Sequence, residues 1–216
     1  MTELTKRIYT SLILLPLTLS LLLYGPQWSI NSVVLGLLVV IILTEWPKLF
    51  SYKSITFWTL MPLYPVAPFL AFLVITHVSR MLALYMVLTV IAHDVGSYIA
   101  GKLFGKHTII PTVSPGKTWE GFAGGYCATF LVTVSFFYTQ NYYKNYTTLA
   151  LLAALISSTA LAGDLFESYI KRRAGLKDSG VLLPGHGGLL DRLDALMFVA
   201  VLFYFLRHPL LDLLTR

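Results

Sequence analysis

Long apolar runs alternate with short polar segments along the whole chain. Seven of these runs are near the ~17–25 residues that a membrane-spanning helix needs. They cover residues 8–24, 28–44, 55–76, 81–100, 122–139, 149–170 and 189–206. The third run carries Pro62, Pro65 and Pro68, which predict a kink or a split into two short helices. The expected fold is all-α, a polytopic transmembrane bundle of about seven spans. The chain has no internal repeat, low-complexity tract or flexible linker, so residues 1–216 are expected to form a single domain. Lys6 and Arg7 before the first run resemble the start of a signal peptide. Tyr24-Gly25-Pro26-Gln27-Trp28 offers no small-x-small cleavage site, however, so a retained span or anchor is expected.

Composition agrees with this pattern. Hydrophobic residues make up 56% of the chain and charged residues 12%, against roughly 45–50% and about 25% in soluble domains. A soluble enzyme or a nucleic-acid-binding module is therefore excluded, and no nucleic-acid partner is expected. The single cysteine, Cys127, allows no intrachain disulfide and reads as a small packing residue. Trp28, Trp46, Trp58, Trp119, Tyr142 and Tyr143 fall near run ends and read as interfacial anchors. His77, His107 and His208 have no visible partner in the sequence.

The net charge is +6, and its placement is more telling than its size. Counting connecting segments alternately, one set holds Lys6, Arg7, Lys48, Lys53, Lys102, Lys106, Lys117, Lys171, Arg172, Arg173 and Lys177. The other holds Arg80, Lys144, Arg207 and Arg216. The positive-inside rule places the first set in the cytoplasm. The N-terminus and residues 101–119 and 171–188 are thus expected on the cytoplasmic side.

Half of the ten acidic residues lie within or at the ends of the runs: Asp94, Asp164, Glu167, Asp191 and Asp194. An embedded carboxylate costs roughly 2.5–3.5 kcal/mol on insertion scales. Structural ion pairs could explain one of them, but there are too few embedded cations to pair all five. They predict a polar site inside the bundle. Asp164, Ser168 and Lys171, spaced i, i+4, i+7, share a helix face. Asp191 and Asp194, spaced i, i+3, share another at the start of the last run. Carboxylate faces from two helices can converge on a hard cation. Carboxylates with water suit magnesium, and the lack of thiolates and near lack of imidazoles argue against zinc.

Residues 168–194 are the most charged stretch. Lys171, Arg172 and Lys177 at the end of the sixth run can hold phosphate oxygens. Positive-inside anchoring is the alternative, and it suits Arg173 better. Pro184-Gly185-His186-Gly187-Gly188 would let the backbone approach a ligand closely, or simply make a tight turn before a helix. A second constellation comes earlier, with His93-Asp94 followed by a loop of glycines, lysines and hydroxyls that includes Ser114 and Lys117. It reads either as an anion-binding nest or as an ordinary basic loop with a helix start at Thr118-Trp119-Glu120-Gly121.

The string Ser168, Lys171-Arg172, Lys177-Asp178, His186-Gly187-Gly188, Asp191-Arg192-Leu193-Asp194 resembles the signature of the phosphatidate cytidylyltransferases, or CDP-diacylglycerol synthases. Gly163-Asp164-Leu165-Phe166-Glu167-Ser168 and Ser114-Pro115-Gly116-Lys117-Thr118-Trp119-Glu120-Gly121 are also similar to family segments. The resemblance runs from about Asp94 to the last run. It implies a membrane nucleotidyltransferase of phospholipid biosynthesis that converts CTP and phosphatidate to CDP-diacylglycerol and pyrophosphate. It further implies Mg2+, alone or with a second cation, with Asp164 and Asp191 as metal ligands and Asp194 and Asp178 completing or orienting the metal shell. Lys171, Arg172 and Lys177 would hold phosphates, with Arg192, Ser114 and Lys117 also on the substrate side. Ser168 would meet a phosphate oxygen or the metal, and His186 would bind phosphate or move a proton. The implied partners are CTP, phosphatidate, membrane lipids and, as an open possibility, a second copy in a homodimer. The expected location is a bacterial inner membrane, with the site facing the cytoplasm. A cytidylyltransferase for another lipid, a polyprenol kinase and an ion-coupled transporter are the competing readings.

Overall fold

The structure is a computed structural model that describes residues 3–139, 145–180, 182 and 187–215. Helix α1 (Glu3–Tyr24) is followed by α2 (Gln27–Val40), which runs through a π-helical turn, Ile41–Glu45, into α3 (Trp46–Leu49). Helix α4 (Ile55–Met61) is joined through a second π turn, Pro62–Val66, to α5 (Ala67–Val78). The predicted kink is here. Proline has no N–H to give to the helical ladder, and Tyr64 leaves helical geometry at φ −156°, ψ 107°. Helix α6 (Arg80–Phe104), α7 (Trp119–Thr139), α8 (Tyr146–Arg173) and α9 (Leu190–Thr215) complete the bundle. Side chains cap several starts. Ser54 accepts from Thr56 N, Ser79 from Leu82 N, and Asn145 from Thr147 N and Thr148 N.

Six of the seven predicted spans are helical stretches long and apolar enough to cross a membrane: Gln27–Leu49, Ile55–Val78, Arg80–Phe104, Trp119–Thr139, Tyr146–Arg173 and Leu190–Leu214. The first run contributes a shorter apolar stretch, Leu12–Tyr24. Large apolar side chains such as Leu12, Leu43, Leu131, Leu151 and Phe205 point outward, as lipid-facing residues do. One element was not expected. The segment between α6 and α7 folds into an antiparallel hairpin of β1 (Thr108–Ile110) and β2 (Ser114–Thr118), with Thr108 opposite Thr118.

Small residues bring α6 and α7 together. A Cβ at Gly96 would lie 2.6 Å from the Ala128 Cβ and 2.7 Å from the Gly124 carbonyl, and a Cβ at Gly124 would overlap Ala100. Close backbone approach of this kind is how helices associate where lipid removes the hydrophobic drive. Polar contacts join the same pair: Tyr85 and Thr133 hydroxyls are 3.0 Å apart, and Thr129 Oγ1 donates to Thr89 O. Tyr85, Met86, Phe137, Ile156 and Phe203 fill one core cluster. A second cluster, with Ile41, Trp46, Tyr64, Ile170 and Leu190, lies beneath the ends of α8 and α9.

Two expectations are corrected here. Trp46 is fully buried and its Nε1 donates to Phe57 O, so it is a core residue and not an interfacial anchor. Cys127 is exposed on α7 instead of packed inside. Trp28, Trp58 and Trp119 are exposed, as anchors require, while Tyr142 and Tyr143 lie outside the described residues.

Helix α8 ends in a left-handed residue, Gly175, at φ 71°. Gly175 N donates to Arg172 O and Leu176 N to Lys171 O, which satisfies two terminal carbonyls of the helix. The chain turns here toward the charged stretch. Gly175→Ala is expected to cost about 1 kcal/mol, the strain of a side chain in this region. Thermal unfolding in detergent should show a small downward shift in midpoint without loss of the helical signal.

Candidate active site

A cavity of about 330 Å³ opens between α6, the hairpin, α7, α8 and α9. Asp164 and Ser168 reach it from α8, Asp191, Arg192 and Asp194 from α9, His93 and Asp94 from α6, and Lys117 from β2. The helix positions were legible as shared faces. Their convergence depends on Gly163, where a Cβ would lie 2.6 Å from the Asp194 carbonyl and 3.1 Å from Ala195 Cα. With no side chain at that point, α8 lies against α9, and Asp164 enters the cavity that Asp194 lines.

The hairpin delivers a cation to the other wall. Lys117 Nζ donates to Asp164 Oδ2. Burial works against the Lys117 charge, but Asp164, with Asp94 and Asp194, more than offsets it, and together they hold the ammonium above its ordinary pKa. Lys117 therefore stays cationic at neutral pH. Thr118 both lines the cavity and accepts from Gly121 N, which starts α7. The expected helix start at residues 118–121 is therefore present. Glu120 accepts from Lys106 N and His107 N and meets the His107 Nδ1 at 2.6 Å, bracing the base of the hairpin. His107 thus has a partner, and so has His77, whose Nε2 is 3.3 Å from Asn31 Nδ2.

Asp191 is the most heavily bonded of the acids. It accepts from Lys171 Nζ at 2.8 Å, from Ser179 N at 3.0 Å and from Gly188 N at 2.8 Å. Lys171 also reaches Glu167 Oε2 at 3.2 Å, so this lysine joins carboxylates of α8 and α9. Gly187 sits at φ 84°, and a Cβ there would be 2.9 Å from Asp191 Oδ2 and 3.6 Å from Asp178 Oδ1. Asp178 is therefore near the Asp191 turn.

Other expected site residues stand elsewhere. Arg172 is exposed and donates to Val113 O and Leu176 O, tying the hairpin turn to the end of α8. Ser114 pairs with Ile110 at the start of β2, and Lys177 is exposed beyond the end of α8; neither lines the cavity. His186 lies outside the described residues. One carboxylate close to this region has no counterpart among the acids expected from the sequence. Glu45, fully buried, reaches Ser179, Leu189 and Leu190 from the π turn after α2. The available signal was an acid ending an apolar run.

The carboxylate oxygens on these walls are the donor type that magnesium takes. Among the described residues, no group of three or more His, Cys, Asp or Glu side chains is placed to hold a metal ion. Magnesium asks for less, being commonly held by one or two carboxylates with water and substrate phosphates. Asp164 and Asp191 on the walls of one cavity can supply that pair.

Fold and cavity together define an integral membrane protein with a charged site enclosed by its own helices. The cytidylyltransferase family model matches residues 47–210. The chain belongs to that family. It is 50% identical over 120 residues to the phosphatidate cytidylyltransferases of Mycobacterium bovis and Mycobacterium tuberculosis, and 45% identical over 116 residues to that of Staphylococcus aureus. Each alignment covers 54% of this chain and 38%, 35% and 45% of the respective relative. The matched part is thus less than half the length of each of these relatives.

Proposed function

We propose that the protein is a phosphatidate cytidylyltransferase, which converts CTP and phosphatidate to CDP-diacylglycerol and pyrophosphate. The observation that carries this reading is the meeting of Asp164, Asp191 and Asp194 with Lys117 in one cavity between apolar helices. The names of its relatives agree with it.

The reaction joins two polyanions. A phosphate oxygen of phosphatidate attacks the α-phosphorus of CTP, the bond to the bridging β-phosphate oxygen breaks, and pyrophosphate leaves. A phosphomonoester is already ionised at neutral pH, so the attacking oxygen needs no base to remove a proton. What it needs is alignment and relief of charge repulsion. Asp164 and Asp191 would hold Mg2+, with Asp194 beside them; when bound, the ion neutralises triphosphate charge. Lys117 brings a fixed cation beside Asp164, and Ser168 would offer a hydroxyl to a phosphate oxygen. Lys171 holds Asp191 in place, which would position the carboxylate that holds the ion. Arg192 lines the cavity and would add positive potential there, and Arg172 and Lys177 would add it from the exposed end of α8. Phosphatidate would enter from the bilayer and CTP from the cytoplasm, consistent with the positive-inside bias of residues 101–119 and 171–188. A bacterial inner membrane fits the bacterial relatives.

Incorporation of label from cytidine-labelled CTP into chloroform-extractable lipid tests the reading, with purified protein, phosphatidate and magnesium. Labelled lipid should appear only with phosphatidate and should vanish with EDTA. Folded, CTP-binding protein that labels no lipid would rule out phosphatidate as the acceptor.

A further inference from the structure

We infer that Glu45 is a positioning residue for the Asp191 turn, acting from a π turn just before the family-matched region and without touching the cavity. Glu45 is 0% exposed. Its Oε2 accepts from Ser179 Oγ at 2.9 Å and Leu190 N at 2.8 Å, and its Oε1 accepts from Leu189 N at 2.7 Å. The latter two are backbone donors at the start of α9, which has no intrahelical partners for them. A side chain 144 residues from Leu189 in sequence thus caps the helix that carries Asp191 and Asp194.

The same short segments serve Asp191 from the other side. Ser179 N and Gly188 N donate to the Asp191 carboxylate, while Ser179 Oγ and the next two amides, Leu189 N and Leu190 N, donate to Glu45. The backbone around Ser179 and Gly188 is therefore held between two carboxylates, one in the core and one at the cavity. The glycines show how close this fit is. A Cβ at Gly180 would lie 2.8 Å from Glu45 Oε1, and one at Gly188 would overlap Ser179 Oγ and lie 2.7 Å from Gly180 N and 2.9 Å from Glu45 Oε2. Gly188, the second glycine of the His-Gly-Gly motif, thus leaves room for the Ser179–Gly180 backbone and for the hydroxyl that Glu45 holds. The π turn Ile41–Glu45 sets Glu45 at this position; such turns re-aim single side chains within a helix.

Because Asp191 is a proposed ion ligand, this inference rests on the proposed function for its kinetic consequence, but not for its structural one. The test uses the full chain in detergent. Glu45→Gln keeps the volume but sets an amide N–H against donors. Ser179→Ala removes one of the three bonds and no charge. Two readouts are taken: amide hydrogen exchange along the chain, and kcat and KM for CTP in the labelled-lipid assay. In E45Q, exchange at residues 176–180 and 187–190 should rise at least about 10-fold, while α6 and α7 keep their protection. Its kcat should fall about 10–100-fold, the usual cost of losing a residue that orients a ligand, with KM for CTP nearly unchanged. S179A should show the same local pattern at smaller size. Wild-type exchange and kcat in E45Q would overturn the inference. So would protection lost evenly across the helices, which would make Glu45 a general fold residue. If E45Q does not fold, wild-type exchange and kcat in S179A would overturn it equally. Wild-type protein that makes no labelled lipid would instead refute the proposed reaction, and the exchange data would still decide the role of Glu45.

Discussion

Asp164→Asn should lower CDP-diacylglycerol synthesis by at least about 100-fold, the scale of removing one group that stabilises charge in a transition state. Asparagine keeps the shape of the side chain and removes its charge. Two things then change together. The cavity loses a carboxylate able to bind a hard cation, and Lys117 loses its counter-ion. The second loss also affects stability. Breaking a fully buried pair costs about 3–5 kcal/mol; here the Lys117 side chain is 34% exposed, so solvent screening makes the cost much smaller. The two effects separate by adding Lys117→Met. The double variant should regain thermal stability relative to D164N, because no unpaired ammonium remains, yet it should stay inactive. Thermal unfolding in detergent and the labelled-lipid assay read the two quantities. A folded D164N protein with full activity would sink the assignment of Asp164 to the ion. Asp191→Asn should lose activity as well. It is a less clean test, since Asp191 also holds Ser179 N and Gly188 N.

The aspartates were legible because burying charge in an apolar helix is costly, and periodicity says which acids share a face. That reasoning places Asp164 with Ser168, and Asp191 with Asp194, from the sequence alone. It also finds the proline-broken third span. It does not find the hairpin. Thr108-Ile109-Ile110 and Ser114-Pro115-Gly116-Lys117-Thr118 are too short and too rich in turn residues to show strand alternation, and their pairing depends on packing against α7 and α8. Nor could spacing tell which lysine meets which acid. Lys171 shares a face with Asp164 along α8, yet it bonds to Glu167 and Asp191, while Asp164 takes Lys117 from 47 residues away. Glu45 and Trp46 mark the same boundary. Both sit at the end of an apolar run, where an acid and a tryptophan usually face water or headgroups. A π turn and the second core cluster bury them instead. These are long-range contacts, and the local pattern of hydrophobic and polar residues carries no record of them.

Gly163→Ala is the second large effect expected, and it tests the geometry without touching any charged group. The added methyl would meet the Asp194 carbonyl at 2.6 Å and Ala195 Cα at 3.1 Å. Both are backbone atoms of α9, so no rotamer change can relieve the clash, and α8 and α9 must separate. Overpacking of this kind costs about 1–3 kcal/mol. The functional cost should be larger than that figure suggests. Asp164 is the next residue on α8 and Asp194 is itself the contact, so separation moves opposite walls of the cavity apart. A shift near 1 Å in a phosphoryl-transfer site can cost on the order of 100-fold in rate. Gly36→Ala is the matched control. Gly36 lies in α2, and a Cβ there would have nothing within 4 Å; alanine is also the better helix former by roughly 0.5–1 kcal/mol. G36A should therefore keep full activity and unfold at the same temperature or slightly higher, while G163A loses activity far beyond its drop in stability. Equal activity in the two variants would mean that the α8–α9 approach at Gly163 does not set the distance between the acids. In that case Asp164 and Asp194 would have to be brought to substrate by some movement other than the packing at this glycine.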